Sequence, residues 1–244
     1  MNRDAVLNEL GSRLIDPAHA QVGLLYIDLD RFKTVNDVLG HGAGDTLLYS
    51  AAQRIVDAVG NEGLVARLGG DEFVVVCNHG DDAARPERLA DAVLNGFRDS
   101  FRFGKEEFPV TASIGIARAP EHGMQAQTLI QNADAAMYAS KRRMRNGWMA
   151  YHADMAHDQH RSLQVETHLR HALENDEFHL VYQPQVDLRS GRTIGAEALI
   201  RWRNRKLGEL RPDHFIGLAE SNGDIVHIGN WVLRAACRQI AAWR

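Results

Sequence analysis

The sequence predicts an α+β fold, with helices packed on a largely antiparallel sheet. Short apolar runs of strand length alternate with longer stretches whose apolar residues recur at helical spacing. The runs at 64–68 and 72–78 are also joined across Gly69-Gly70, a hairpin connection that makes its two strands antiparallel neighbours. With 45% hydrophobic and 25% charged residues the chain has the balance of a packed globular protein.

The elements follow in order. Residues 22–29 read as a buried strand ending in acid. Leu48, Ala52, Ile55 and Val59, with Leu47 and Ala51 beside them, predict a helix over 45–59. The hairpin follows, then an amphipathic helix over 85–100 and a strand over 108–117. A long helix over 126–143 ends near Asn146-Gly147, and Trp148–Tyr151 offers a closing strand. Composition shifts after Tyr151. Residues 154–175 are polar and helical, with Leu163, Val165, Leu169 and Leu173 as a thin apolar stripe. Strands at 178–188 and 193–202 flank the turn Arg189-Ser190-Gly191, and helical patterns follow. No repeat of 20–50 residues is present.

Several function classes are disfavoured by bulk properties. A formal net charge of −4 gives no basic footprint for general nucleic-acid binding. Cys77 and Cys237 both lie in apolar runs, where cysteine acts as a small buried hydrophobe. They form no disulfide framework, so a reducing cytoplasm is the default compartment. No signal peptide opens the chain and no apolar run is long enough for a membrane span; attachment of a longer protein through other segments stays open.

Three blocks carry chemistry. In Arg67-Leu68-Gly69-Gly70-Asp71-Glu72-Phe73, two glycines let the backbone approach a ligand closely, and adjacent carboxylates point to opposite faces if the strand resumes there. A Gly-Gly turn with solvated acids is the bland alternative. The second block is Asp28-Leu29-Asp30-Arg31-Phe32-Lys33-Thr34-Val35-Asn36-Asp37, then Gly40-His41-Gly42-Ala43-Gly44-Asp45. An acid closing an apolar strand needs water, a cation or a metal. Asp28 and Asp30 share a strand face, a Mg²⁺ site needs one or two carboxylates plus phosphates, and a helix beginning near Arg31 aims free N–H groups at phosphate. For Asp30 itself the expected role is the N-cap of that helix. In the third block Asp134, Tyr138, Lys141 and Arg145 fall at i, i+4, i+7 and i+11 on one helix face, though cations also gather at helix C-termini for dipole reasons alone.

Together the three blocks resemble the diguanylate cyclase (GGDEF) family over roughly residues 1–150. The resemblance implies a fold like the palm of nucleotide cyclases and polymerases. It implies that Asp28, Asp71 and the Leu29 carbonyl bind Mg²⁺ (or Mn²⁺), and that Asn36 and Asp45 read the guanine edge, with His41 near the nucleotide. The N–H groups of Phe32 and Lys33, with Lys141 and Arg145, would hold the β- and γ-phosphates, Gly69 and Gly70 would lie close to the substrate, and Glu72 would bind a second metal or help deprotonate the attacking hydroxyl. Two GTP would condense to cyclic di-GMP in a homodimer, because one domain binds one GTP. Three departures stand out. Met1-Asn2-Arg3 resembles only the end of the family's opening motif. Met144 stands where the family usually has Gly. Gly60 and Gly63 replace the Arg and Asp of the product-inhibition motif.

Further on, Tyr182-Gln183-Pro184-Gln185 and Glu197-Ala198-Leu199-Ile200-Arg201-Trp202 resemble the opening of the EAL family, cyclic di-GMP phosphodiesterases with a (β/α)₈-like barrel. Glu197 would bind metal, and Gln183 and Arg201 the dinucleotide. A barrel takes about 250 residues, so this stretch reads as an incomplete barrel, inactive by itself. The expected organisation is 1–152 GGDEF, 153–176 linker helix and 177–244 EAL fragment. Two alternatives to an active cyclase stand beside it: a GTP-binding regulatory domain in a parent whose main activity is cyclic di-GMP hydrolysis, and a non-catalytic scaffold.

Overall fold

The computed structural model describes residues 1–16, 21–80, 82–103, 106–143 and 145–243. Met144, the departure noted above, lies outside them. The chain divides into two compact units, Met1–Gln159 and His160–Arg244.

The first unit is built on a five-stranded sheet in the order β2-β3-β1-β6-β7. Its strands are β1 (Val22–Leu29), β2 (Gly63–Gly69), β3 (Glu72–Asn78), β6 (Ala112–Arg118) and β7 (Gly147–Ala150). All neighbours are antiparallel except β6 and β7. The helices are α1 (Arg3–Ile15), α2 (Phe32–Leu39), α3 (His41–Val59), α4 (Arg85–Gly96) and α5 (Ala126–Arg143), and a two-stranded ribbon joins β4 (Phe101–Phe103) to β5 (Glu106–Phe108).

The two-residue period of β1 sorts its side chains between the two faces. Leu25, Ile27 and Leu29 face α3 and α4, where Leu47, Ala51, Ile55, Leu89 and Val93 cover them. Val22, Leu24 and Tyr26 face α1 and α5, against Val6, Leu10, Leu129, Ala133 and Met137. Every residue of β1 is buried, as its apolar run predicts. Asp28 continues the second series, so the strand's pleat delivers its carboxylate to the α5 side.

Close packing of α5 depends on Gly115 of β6. A Cβ there would run into the backbone of Ala133 and Met137. Gly115→Ala is therefore expected to destabilise this unit by about 1–3 kcal/mol, the scale of core overpacking. An unchanged Tm would show that α5 can retreat without cost.

Four local expectations need correction. The strand foreseen over 108–117 is two elements: Pro109 has no N–H for a ladder, and β6 begins only at Ala112. The helix foreseen over 85–100 stops at Gly96, a poor helix former, and Phe97 caps it. Arg145 lies past the end of α5 in a left-handed conformation (φ 40°), so it does not extend the helix face of Lys141. Cys237 is exposed, because the helix that carries it is covered on one side only.

In the second unit α6 (Ala153–Leu169), which begins in the first, leads to β8 (Phe178–Val186), β9 (Thr193–Asn204) and β10 (Gly208–Leu210), then α7 (Ile216–Asn222) and α8 (Ile225–Ala242). The sheet has the order β10-β9-β8, so β9 gains a third strand beyond the expected pair; among the described residues no barrel closes. Phe178, Trp202 and Phe215 form its aromatic core with Val165 and Leu169, while Leu163 of the foreseen stripe is exposed. Glu177 anchors the sheet, accepting from Trp202 Nε1 at 2.8 Å and Asn204 Nδ2 at 3.0 Å.

Candidate functional site

The β2–β3 hairpin turns at Gly70, whose φ of 48° favours glycine. Arg67 clamps the turn, donating from Nε at 3.0 Å and Nη2 at 2.7 Å to the Gly70 carbonyl. A register shift between Arg67 and Gly69 reshapes the end of the ladder. The turn meets the end of β1: Leu29 N–H donates to the Asp71 carbonyl at 3.3 Å, and Glu72 stands directly opposite Asp28 across the antiparallel pair. Residues 28, 71 and 72 thus converge from two strands.

Asp28 is 7% exposed. Lys141 Nζ comes to 2.5 Å from its Oδ1 as an ion pair. That ammonium is the close partner of this buried oxygen. Burial pushes the Asp28 carboxyl up to about 6; Lys141 opposes that shift, and the charges of Asp71 and Asp30 add to it. Tyr26, one pleat back, has its phenol raised well above the ordinary value by burial first and then by the negative charge of Glu72, with Asp134 contributing. Tyr138 instead lines a cavity of about 340 Å³ with Arg142, Met149 and Met155.

Asp30 is not an N-cap. Arg31 occupies the N-cap position of α2 with φ 62° and makes no side-chain cap. The Asp30 carboxylate, 3% exposed, turns instead toward β6 and the α5–β7 turn. Oδ1 accepts from Ser113 Oγ at 2.9 Å, and Oδ2 accepts from Thr111 Oγ1 at 2.6 Å and Asn146 N–H at 3.2 Å.

The remaining first-unit candidates lie on α2 and α3. Phe32 and Lys33 open α2, so their N–H groups stand in its first turn. Asn36 lies against Gly44, where any Cβ would collide with its Oδ1. That contact fixes the amide beside exposed Asp45 in the next helix. His41 is exposed at the start of α3. Asp45 lines a cavity of about 390 Å³ floored by Leu48, Val65 and Phe73 and edged by Arg67. A larger hollow of about 850 Å³ shares only Tyr49 with that cavity; Arg54, stacked 3.8 Å over Phe101, occupies one side of it.

The donor set suits a hard cation. Among the described residues no three His, Cys, Asp or Glu side chains already form a metal cage. Mg²⁺ asks for less: one or two carboxylates, with phosphates and water completing its shell. A buried carboxylate, opposite a second acid and beside a third, meets that need.

Sequence reasoning missed Arg67 as the clamp of the turn, Tyr26 as the neighbour of Glu72, and Thr111 and Ser113 as partners of Asp30. Arg67 could have been found, since it adjoins the glycines. The others are joined only by the tertiary fold. In the second unit Gln183 faces Glu197 and His179 faces Arg201 across β8 and β9; Gln183 and Glu197 are exposed, and Arg201 Nη1 donates to the Ile200 carbonyl at 2.8 Å.

Residues 1–147 match the family described as "Diguanylate cyclase, GGDEF domain", and residues 166–244 match "EAL domain". The chain is similar to the cyclic di-GMP phosphodiesterase PdeR of Escherichia coli, at 37% identity over 243 residues, covering 100% of this chain and 36% of PdeR. It is similar to the bifunctional diguanylate cyclase/cyclic di-GMP phosphodiesterase MucR of Pseudomonas aeruginosa, at 42% identity over 220 residues, covering 90% of this chain and 32% of MucR. The chain therefore spans about a third of the length of these relatives. The crystal structure of the GGDEF domain of YfiN (TpbB) from Pseudomonas aeruginosa superposes with a TM-score of 0.58 and 39% identity, covering 62% of this chain and 96% of that domain. No described helix is long and apolar enough to cross a membrane. A palm-like sheet whose acids meet at a Gly-Gly hairpin, followed by the strand pair of a second family, places this chain in the GGDEF diguanylate cyclase family in its tandem GGDEF–EAL form, among proteins of cyclic di-GMP metabolism.

Proposed function

We propose that the first unit is a diguanylate cyclase, converting two GTP into cyclic di-GMP and two pyrophosphates. The observation that carries this reading is the convergence of buried Asp28 with half-buried Asp71 and Glu72 at the hairpin, with Lys141 reaching Asp28 from α5. Asp28, Asp71 and the Leu29 carbonyl would hold Mg²⁺ (or Mn²⁺), and Glu72 a second ion or the proton of the attacking hydroxyl. The metal would lower the hydroxyl's pKa and neutralise charge on the attacking and leaving oxygens.

Each residue then has a task. Asn36 and Asp45 accept from and donate to the guanine edge, a carboxylate suiting its N1–H and N2–H donors, and His41 stands near the nucleotide. Phe32 and Lys33 N–H groups, Lys141 and Arg145 hold the β- and γ-phosphates, and Gly69 and Gly70 leave room for the substrate beside the turn. The 3′-oxygen of one GTP bonds to the α-phosphorus of the other, Glu72 takes its proton, and the α–β bridging bond breaks to release pyrophosphate. The second bond forms the same way and closes the ring. Each unit holds one GTP, so two copies must face each other in a homodimer, in the GTP-supplied cytoplasm. The boundaries we assign are 1–152, 153–176 and 177–244. Gln183, Glu197 and Arg201 belong to the dinucleotide side of the EAL portion, which is inactive by itself in this chain.

A second reading rests on the similarity to PdeR: the GGDEF unit binds GTP to regulate a phosphodiesterase in a longer protein. One assay separates the two. GTP and Mg²⁺ with this chain are expected to yield cyclic di-GMP, with specific activity rising with chain concentration as dimers form. GTP binding without cyclic di-GMP at any concentration would overturn the cyclase reading and favour the regulatory one.

A further inference from the structure

Asp30 is buried and fully engaged. Its backbone N–H donates to Thr111 O at 2.9 Å, and its two carboxylate oxygens take donors from Ser113, Thr111 and Asn146. Two of those donors belong to the β5–β6 junction and the start of β6. The third is a backbone N–H 116 residues away in sequence, in the turn that links α5 to β7. That turn is unusual. Arg145 and Asn146, neither of them glycine, both have left-handed φ values, 40° and 48°. Consecutive non-glycine residues in this region are costly and persist only where surrounding structure holds them. Among the described residues, the bonds that hold this turn are Arg145 N–H to the Ser140 carbonyl at 3.2 Å, Ser140 Oγ to the Gly147 carbonyl at 2.9 Å, and Asn146 N–H to Asp30 Oδ2.

We propose that Asp30 is a positioning residue for the phosphate side of the site. Pinned by Thr111 and Ser113, its carboxylate holds the strained Arg145–Asn146 turn to the end of β1 and so sets where Arg145 meets the triphosphate. This rests on the reading of the first unit as a GTP site. The connection is short: Asp30 lies two residues after Asp28, so one strand end carries both the metal-side acid and the anchor of the phosphate-side cation. An oxygen acceptor facing Asn146 is required at position 30. In Asp30→Asn the amide can turn so that its oxygen accepts from Thr111 and Asn146 while its NH2 donates to the Ser113 hydroxyl, so the turn bond survives. In Asp30→Ala the Asn146 N–H loses that acceptor.

The test uses the whole chain and measures GTP binding in Mg²⁺, the steady-state KM and kcat, and amide hydrogen exchange at Asn146. Asp30→Ala is expected to speed exchange at Asn146 and to weaken GTP binding and raise KM about tenfold, the scale of losing a hydrogen bond to a charged group, with kcat changed far less, while Asp30→Asn stays within about twofold of the parent. Thr111→Val removes a partner of the same Oδ2 but leaves the turn bond, so it is expected to lower Tm while keeping KM within about twofold. Unchanged GTP binding in Asp30→Ala, or equal losses of KM and kcat in Asp30→Ala and Thr111→Val, overturns the inference. If the unsubstituted chain binds no GTP, the site reading itself fails and the inference falls with it; faster exchange at Asn146 in Asp30→Ala would then mark a purely structural anchor.

Discussion

Asp71→Asn and Glu72→Gln are each expected to cut cyclic di-GMP formation by roughly 10²-fold or more, the scale of losing a positioned acid–base group. Both substitutions keep side-chain volume and remove only charge and proton affinity. Asp71 sits in the turn and Glu72 opens β3, both half-buried, so neither packs the core. Glu72 lies opposite Asp28 and against the Tyr26 phenol. Its loss takes one negative charge from the acidic cluster, and also the group we propose accepts the 3′-hydroxyl proton. Asp71 carries its carboxylate at the hairpin while its carbonyl ties the turn to Leu29, and that backbone bond survives the change. Folding should therefore be unaffected, with Tm within about 2 °C of the parent, as for surface changes. The readout is cyclic di-GMP formed per chain at saturating GTP and Mg²⁺. Full activity in both variants would sink the assignment of these acids.

How far the sequence alone reveals this arrangement depends on the range of the interactions. The β1 run and the hairpin glycines are local signals, and both elements form where expected. Asp28 at the end of a buried strand already implied a cation, and the fold supplies Lys141. Asp30 misleads for a physical reason. An aspartate just before a helix is a common N-cap, but Arg31 intervenes with a left-handed φ, and the partners that win are Thr111 and Ser113, some 80 residues away. No local pattern encodes that competition. The β4–β5 ribbon hid in the same way, because Phe108-Pro109-Val110 looked like the start of a single apolar strand over 108–117. The Asn36–Gly44 contact joins two helices that the sequence shows separately, and only the missing Cβ at 44 hints that something must fit there.

Asp28→Asn is expected to stabilise the chain when metal is absent and to abolish stabilisation by Mg²⁺ and GTP. The Asp28 carboxyl is held at about 6, against 3.8 for the free group, chiefly by burial. The folded state therefore binds the proton more tightly than the unfolded state. Below about pH 3.8 both states are protonated and the native fold pays no penalty. As pH rises through 6 the buried group must ionise in the fold, and stability falls. The difference between 3.8 and about 6 corresponds to roughly 3 kcal/mol lost between pH 4 and pH 7. Asparagine does not titrate, so that slope should vanish. The substitution leaves Lys141 unpaired, but its ammonium is 30% exposed and can reach water, so only part of the gain is offset. In chelator at pH 7.5 a net gain of about 2 kcal/mol, roughly 5 °C in the Tm of the first unit, is expected. In Mg²⁺ with GTP the order should reverse: the parent gains stability by mass action, and the variant, lacking the buried ligand, does not. Thermal denaturation in chelator from pH 4 to 8, repeated with Mg²⁺ and GTP, tests both halves. A variant less stable than the parent at pH 7.5 in chelator, with the same pH slope, would show that Lys141 fully satisfies Asp28 and that its buried oxygen awaits no cation.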